Sequence, residues 1–285
     1  MTAVFKVLSK GAGVTIQDLG RAGWRRFGVS PGGAMDAVAM MEANRLVGNC
    51  LDAPVLEVLL QGARVECLVN CWVGIAGADL VEGFASGTAR RVQAGEVLVF
   101  NQSGNGMWVY LAVPGGLEGV RNFGSVSVDA RVGLGSECVK GAILSTEGNP
   151  CLHDFVSVVR RVTPPSEVRY FKPTESFELL KGPQFDAFPA VDRAALVADA
   201  WSVSARSDRT GYRLEGALLQ YSKSTYSEPV LPGSFQVTSD GRVIVTLAYG
   251  PTVGGYPKLA LLQEKDIARF VQCRPGTKLK FKWKK

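Results

Sequence analysis

The sequence predicts a mainly β protein of two domains, and three observations carry that expectation. Short runs rich in β-branched and aromatic residues recur between Gly, Pro, Asn and Asp, each too short to form a helix. The 33 glycines supply the tight turns that closely spaced strands need. Arg21-Ala22-Gly23-Trp24-Arg25 and Arg209-Thr210-Gly211-Tyr212-Arg213 share the pattern Arg-x-Gly-aromatic-Arg, and each is followed by Val-x-Pro-Gly, at Val29–Gly32 and Val230–Gly233. Two strings repeated in one order point to an internal duplication with equivalent loops, and the longer second spacing calls for an inserted hairpin.

The elements follow in order. Met1–Leu8 alternates as a strand, and Val55–Leu60, Cys71–Ala76, Val97–Phe100, Met107–Val113 and Val243–Ala248 read as further strands, a pattern that favours barrels or sandwiches. A helix is expected from Met35 to Val47, where Met35, Val38, Ala39, Ala43, Leu46 and Val47 form an apolar stripe. Pro31-Gly32-Gly33 turns the chain into it, and Gly48 stands where a C-terminal cap belongs. Two shorter helices are expected over Val191–Ala200 and Lys265–Gln272, the second stopped by Pro275-Gly276. Pro164-Pro165 within Arg160–Glu167 marks a linker, which sets the domains at 1–160 and 161–285. In Lys278–Lys285, Leu279, Phe281 and Trp283 share one face and lysines the other, as in a terminal edge strand whose lysines discourage pairing with another chain.

Composition bounds the function. A chain of 285 residues, 46% hydrophobic and 20% charged, buries a substantial core without staples or metals. No apolar run is long enough to span a bilayer and the first residues do not read as a secretory leader, so the expected location is the cytoplasm, with no membrane partner. The net charge of +6 is concentrated in the five lysines of the last eight residues, which leaves +1 for the remainder and argues against nucleic acid. Six scattered cysteines without Cys-x-x-Cys spacing read as reduced core thiols. His153 is the single histidine, which excludes Ser-His-Asp machinery and most catalytic zinc sites; its place beside the linker is a poor one for Cys151–His153 chemistry. No metal is expected.

Two segments hold the remaining polar chemistry. Gln17, Asp18, Arg21, Arg25 and Arg26 gather amide, acid and guanidinium groups around the turn at Gly23. Asp18 and Arg21 read either as an internal ion pair or as functional groups. Asp36 reads either as a helix cap or as a functional carboxylate, with Asn44 two turns further along the same face. In Gly254-Gly255-Tyr256-Pro257-Lys258 the phosphate-loop pattern is missing. That segment either aims backbone N–H groups and Lys258 at an oxyanion or is a tight turn with an exposed lysine, and the sequence leaves both open.

Six ordered blocks carry a resemblance: Gln17–Arg21, Gly28–Asp36, Ala43–Asn49, Leu111–Gly116, Ser207–Gly216 and Gly254–Lys258. Over nearly the whole chain the sequence resembles the allophanate hydrolase subunit 2 or urea amidolyase-related family, which includes 5-oxoprolinase C subunits and biotin-dependent carboxyltransferases. The resemblance implies two cyclophilin-like β-barrel domains. It also implies a C subunit that opens 5-oxoproline or a similar cyclic amide with ATP, active only beside a B-like companion and a third, A-like protein. ATP would serve the complex and nothing would be bound by this chain alone. The alternatives are a urea carboxylase-like component using carboxybiotin carried on another chain, and a non-catalytic regulatory or binding subunit. As catalytic residues the blocks single out Asp18, Arg21, Asp36 and Lys258, and as substrate-binding residues Gln17, Asn44, Arg209, Tyr212, Gly254, Gly255 and Tyr256. Arg21 and Lys258 are expected to hold an anionic group in a cleft between the domains, with Asp36 and Asn44 orienting their neighbours. The chain departs from the family at Ala248–Val253, where Ala-Asp-Arg-Gln-Thr-Thr is usual, at Val126 in Gly124–Val128, where Gly-Ser-Arg-Ser-Thr is usual, and at Thr238–Gly241 in place of Pro-Pro-Asp-Gly. If the lost groups bind substrate, the substrate has changed or catalysis is lost.

Overall fold

The computed structural model describes residues 1–101, 105–151, 174–221 and 225–284; the expected linker and His153 lie outside them. Contacts divide the chain into two compact units, Met1–Arg21 with Gly32–Tyr170 and Ala22–Pro31 with Phe171–Lys285.

The first unit is built on two sheets. One has the order β7-β4-β1-β9, from β1 (Thr2–Lys10), β4 (Ala63–Cys67), β7 (Val97–Val99) and β9 (Ile143–Thr146). The other has the order β2-β3-β8-β5-β6, from β2 (Gly13–Gln17), β3 (Val55–Leu59), β5 (Cys71–Gly77), β6 (Thr88–Val92) and β8 (Trp108–Ala112). Their inward residues, among them Phe5, Val7, Ile16, Leu56, Val58, Val65, Ile75, Val109 and Leu111, form one apolar core. The outer face of β5 and β8 is covered by α1 (Ala37–Leu46), which explains why β8 is buried along its whole length. Helix and sheet meet closely at Gly74, where a Cβ would stand 2.7 Å from the carbonyl oxygen of Ala43. The buried face of α1 uses Ala39, Met40, Ala43 and Asn44, whereas Val38 of the expected stripe faces outward.

The second unit is a closed barrel in the order β10-β17-β14-β15-β12-β11-β18. Its strands are β10 (Thr174–Lys181), β11 (Trp201–Val203), β12 (Gly211–Glu215), β14 (Ser234–Val237), β15 (Val243–Thr246), β17 (Lys258–Leu262) and β18 (Lys278–Trp283). A two-stranded ribbon pairs β13 (Glu228–Pro229) with β16 (Val253–Gly254). Further helices, α2 (Ala190–Ala198) and α3 (Glu264–Val271), fall where the periodicity places them. Aromatic rings fill the barrel: Phe177 meets Phe270 of α3 at 5.5 Å and Phe235 meets Phe281 at 5.1 Å, both edge to face.

Two expectations are corrected. β18 is no edge: its lysines do alternate outward and Leu279 and Phe281 inward, but it pairs with β10 on one side and β11 on the other, so closure removes the edge the lysines would guard. The repeated pentamers are not structural equivalents. Gly23 lies in an exposed turn at φ +84° ahead of a short 3-10 segment, whereas Gly211 is buried at the start of β12. The strings therefore carry no argument for equivalent loops.

Candidate functional site

The first polar centre forms where β2 ends. Asp18 accepts hydrogen bonds from the Gly20 N–H at 2.8 Å, Ser125 Oγ at 2.6 Å, Ser127 Oγ at 2.6 Å and the Val126 N–H at 2.8 Å. Four donors compensate a buried carboxylate without a cation. Arg21, only 1% exposed, donates instead to the carbonyl of Ser127, and its Nε has no partner among the described residues. The ion-pair reading of Asp18 and Arg21 is corrected to a shared contact: Asp18 is already filled, and both residues reach Ser127 from different sides of its backbone and side chain. Gln17 donates to Thr15 Oγ1 and to the Val128 carbonyl, fixing the same crossing.

Beside it, the loop into α1 is held from below. Asp36 caps the helix by accepting the Ala39 N–H at 2.9 Å. The Asp36 N–H donates to Tyr110 Oη at 2.7 Å, and Tyr110 donates in turn to Glu57 Oε2 at 2.8 Å, which also accepts the Met35 N–H at 2.9 Å. Burial first, then the nearby carboxylates of Glu57 and Asp36, push the Tyr110 hydroxyl well above its ordinary pKa, so it stays a donor. Gly33 at φ +90° lets the loop press on Leu19, since a Cβ there would stand 2.9 Å from Leu19 C and O. Asn44 spends its amide on the carbonyls of Leu51 and Ala53 and its oxygen on Asn49, which ties down the loop after α1.

The second polar centre lies in the other unit. Lys258 opens β17 and is buried, its ammonium 2.6 Å from Glu228 Oε1. Gln184 donates to the same oxygen at 2.6 Å and accepts the Lys258 N–H at 2.9 Å. The hydrogen bond and charge of Lys258 hold the Glu228 carboxyl below its usual range. Gly254 pairs with Glu228, and a Cβ on it would stand 3.2 Å from Gln236 Nε2, so the glycine admits that amide. The reading of Lys258 as an exposed turn lysine is corrected: β13 and β16 fold as a ribbon that supplies its acid. Of the other candidates, Arg209 stacks 4.1 Å over the Tyr249 ring, Tyr212 donates to the Val271 carbonyl from the barrel core, Gly255 sits against Thr225 and Tyr256 is exposed. The Ala22–Pro31 segment joins this unit through Arg25, which donates to the Val230 carbonyl, and Ser30 Oγ, 2.9 Å from the Gly250 carbonyl.

Glu57, Tyr110, Ser125, Ser127, Gln184 and Glu228 were not singled out by the sequence. An acid inside the apolar run Val55-Leu56-Glu57-Val58-Leu59 was a usable signal, because a lone carboxylate in a buried strand needs donors. Glu228 gave none. Among the described residues no group of three or more His, Cys, Asp or Glu side chains is placed to hold a metal ion, and no helix is long and apolar enough to cross a membrane.

Residues 27–283 match the family described as carboxyltransferase domain, subdomain A and B. The chain is similar to the C subunit of 5-oxoprolinase from Escherichia coli (strain K12), 32% identical over 98% of this chain and 90% of that one. It is 27% identical to urea amidolyase of Lachancea kluyveri over 97% of its own length and only 17% of that protein. The solved structure of TTHA0988 matches with a TM-score of 0.86 at 32% identity, covering 98% of this chain and 55% of that chain, so this chain spans little more than half of it.

Proposed function

The chain belongs to the carboxyltransferase-domain family, subdomains A and B, and on that footing we propose that it serves as the C subunit of a 5-oxoprolinase-type complex. The complex opens 5-oxoproline or a similar cyclic amide at the expense of ATP, with B-like and A-like companions. The observation that carries this reading is the match to a 5-oxoprolinase C subunit, which runs along nearly the whole of both chains. Opening a lactam at neutral pH places negative charge on the amide oxygen, which fixed cations and N–H groups stabilise without an imidazole. Arg21 and Lys258 are such cations, each held in place by burial within its unit, with the Gly254-Gly255 backbone beside Lys258. Asp18 and Asp36 act by holding the backbone around Arg21 and at the start of α1. Gln17, Asn44, Arg209, Tyr212 and Tyr256 are assigned to substrate binding on the family blocks; Asn44 exerts that role through the loop it ties down and Tyr212 through the end of α3, whose Val271 carbonyl it holds. The chain lacks the phosphate-loop pattern, and ATP serves the complex as a whole.

The match to urea amidolyase supports a second reading, a carboxyltransferase that takes its carboxyl group from carboxybiotin on another chain. Loss of the family Asp-Arg-Gln before Thr252 favours a third, a regulatory role without catalysis. Copurification separates them. The tagged chain is expected to retain B-like and A-like proteins, and the assembly to release glutamate from 5-oxoproline and ATP. Retention of a biotin carboxylase and carrier instead would move the assignment to the second reading, and an assembly without turnover to the third.

A further inference from the structure

On the outer face of the C-terminal barrel a cavity of about 730 Å³ shares no residue with the candidate site, and its lining includes Ser204, Arg206, Arg213, Glu215, Asp240 and Arg242. The geometry points to a binding site for a compact, multivalent oxyanion, a small molecule bearing phosphate or several carboxylate groups, held by the three arginines.

The placement follows from the strand. Tyr212 and Leu214 of β12 are buried, so the alternation of side chains turns Arg213 outward. A turn folds Arg206 back onto the same strand: the Ser204 N–H donates to the Arg213 carbonyl at 2.9 Å, the Arg213 N–H to Ser207 Oγ at 3.0 Å and the Arg206 N–H to Ser204 Oγ at 3.3 Å. The stems of both arginines therefore rise from a backbone that is already fixed. Arg242 arrives from the neighbouring turn before β15, oriented by Asp240, whose Oδ2 lies 2.9 Å from its Nε.

Charge accounting then selects the ligand. Three guanidinium groups face two carboxylates, and Asp240 is spent on Arg242. Glu215 makes no ion pair, and Arg206 and Arg213 have neither an ion pair nor a side-chain hydrogen bond, among the described residues. A concave surface with uncompensated cations focuses a positive potential, and the planar fork of arginine matches carboxylate and phosphate oxygens in pairs. Several cations around one cavity favour a ligand with several negative groups over a single chloride or acetate. Glu215 within the lining works against an extended polyanion and favours a small molecule whose charges sit between the arginines.

Calorimetric titration of the full chain with pyrophosphate and, separately, citrate at 150 mM sodium chloride tests the site, since that salt suppresses diffuse attraction to exposed charge. Saturable one-to-one binding of either probe is expected, and the probe that binds more tightly distinguishes phosphate from carboxylate recognition. Arg206→Ala/Arg213→Ala should weaken binding at least about tenfold, the scale of losing hydrogen bonds to a charged group. Arg64→Ala, an exposed arginine of the other unit, should leave binding unchanged, and because all three arginines are exposed the variants should keep the wild-type thermal midpoint. Absence of saturable binding of both probes, or equal affinity in the double variant, would overturn the site.

Discussion

At the scale of single residues, Lys258 makes the sharpest prediction. Its ammonium is buried against Glu228, whose side chain is a third exposed, so Lys258→Met should cost about 1–3 kcal/mol in urea denaturation, below the penalty for breaking a fully buried pair. The carboxyl of Glu228 is depressed by that lysine, so its stabilising effect is present above the unfolded-state pKa and is lost as pH falls through the lower folded value. The stability gap between wild type and Glu228→Gln should therefore be full at pH 7 and shrink as pH falls below the ordinary glutamate value of about 4.3; a gap unchanged on acidification contradicts the pairing. Thiols give a second test. Burial pushes Cys67 and Cys71 up to about 12 and Cys138 to about 11, and raises Cys273 further, whereas Cys50 and Cys151 are exposed. Two thiols should react rapidly with a disulfide reagent in the native protein and six after denaturation without reductant; fewer than six would mean a bridge. The sequence reading made all six core thiols, and hydropathy alone could not separate Cys50 and Cys151, because both lie in loops whose burial depends on distant strands. The sequence left the setting of Lys258 open for a like reason: its acid is thirty residues away in sequence and no local pattern announces it.

Among elements, α1 and its contact with the sheet can be probed from both sides. Asp36→Ala removes the cap and should lower stability by about 1 kcal/mol. Gly74→Ala places a methyl group 2.7 Å from the Ala43 carbonyl and should cost about 1–3 kcal/mol by forcing α1 off β5; an unchanged denaturation midpoint would show that the helix yields freely. Helices α1 and α3 were legible because each carries its own period and its own stop, α2 by its period alone, and strands such as β3, β5, β8 and β15 because their β-branched runs are bounded by turn residues. Pairing was not legible. Whether β18 is an edge depends on β10 and β11, which lie far upstream in the chain, and nothing in Lys278–Trp283 encodes them. Likewise, the likeness of the two Arg-x-Gly-aromatic-Arg strings says nothing about the strands around them.

For the whole molecule, the family was legible because six blocks recur in order, and their glycines do the work of close approach, as at Gly33 against Leu19 and Gly254 against Gln236. The chemistry was less so: Asp18, Asp36 and Asn44 stand inside a hydrogen-bonded framework, and polar residues that build such a framework look in sequence like residues that touch substrate. The central claim is that this chain is a necessary part, and only a part, of an enzyme that opens a cyclic amide. The measurement that tests it most directly is glutamate release from 5-oxoproline with ATP, assayed with the chain alone, with the B-like and A-like companions alone, and with all three. The account predicts turnover only in the complete mixture; turnover by the isolated chain, or undiminished turnover by the companions without it, would contradict it.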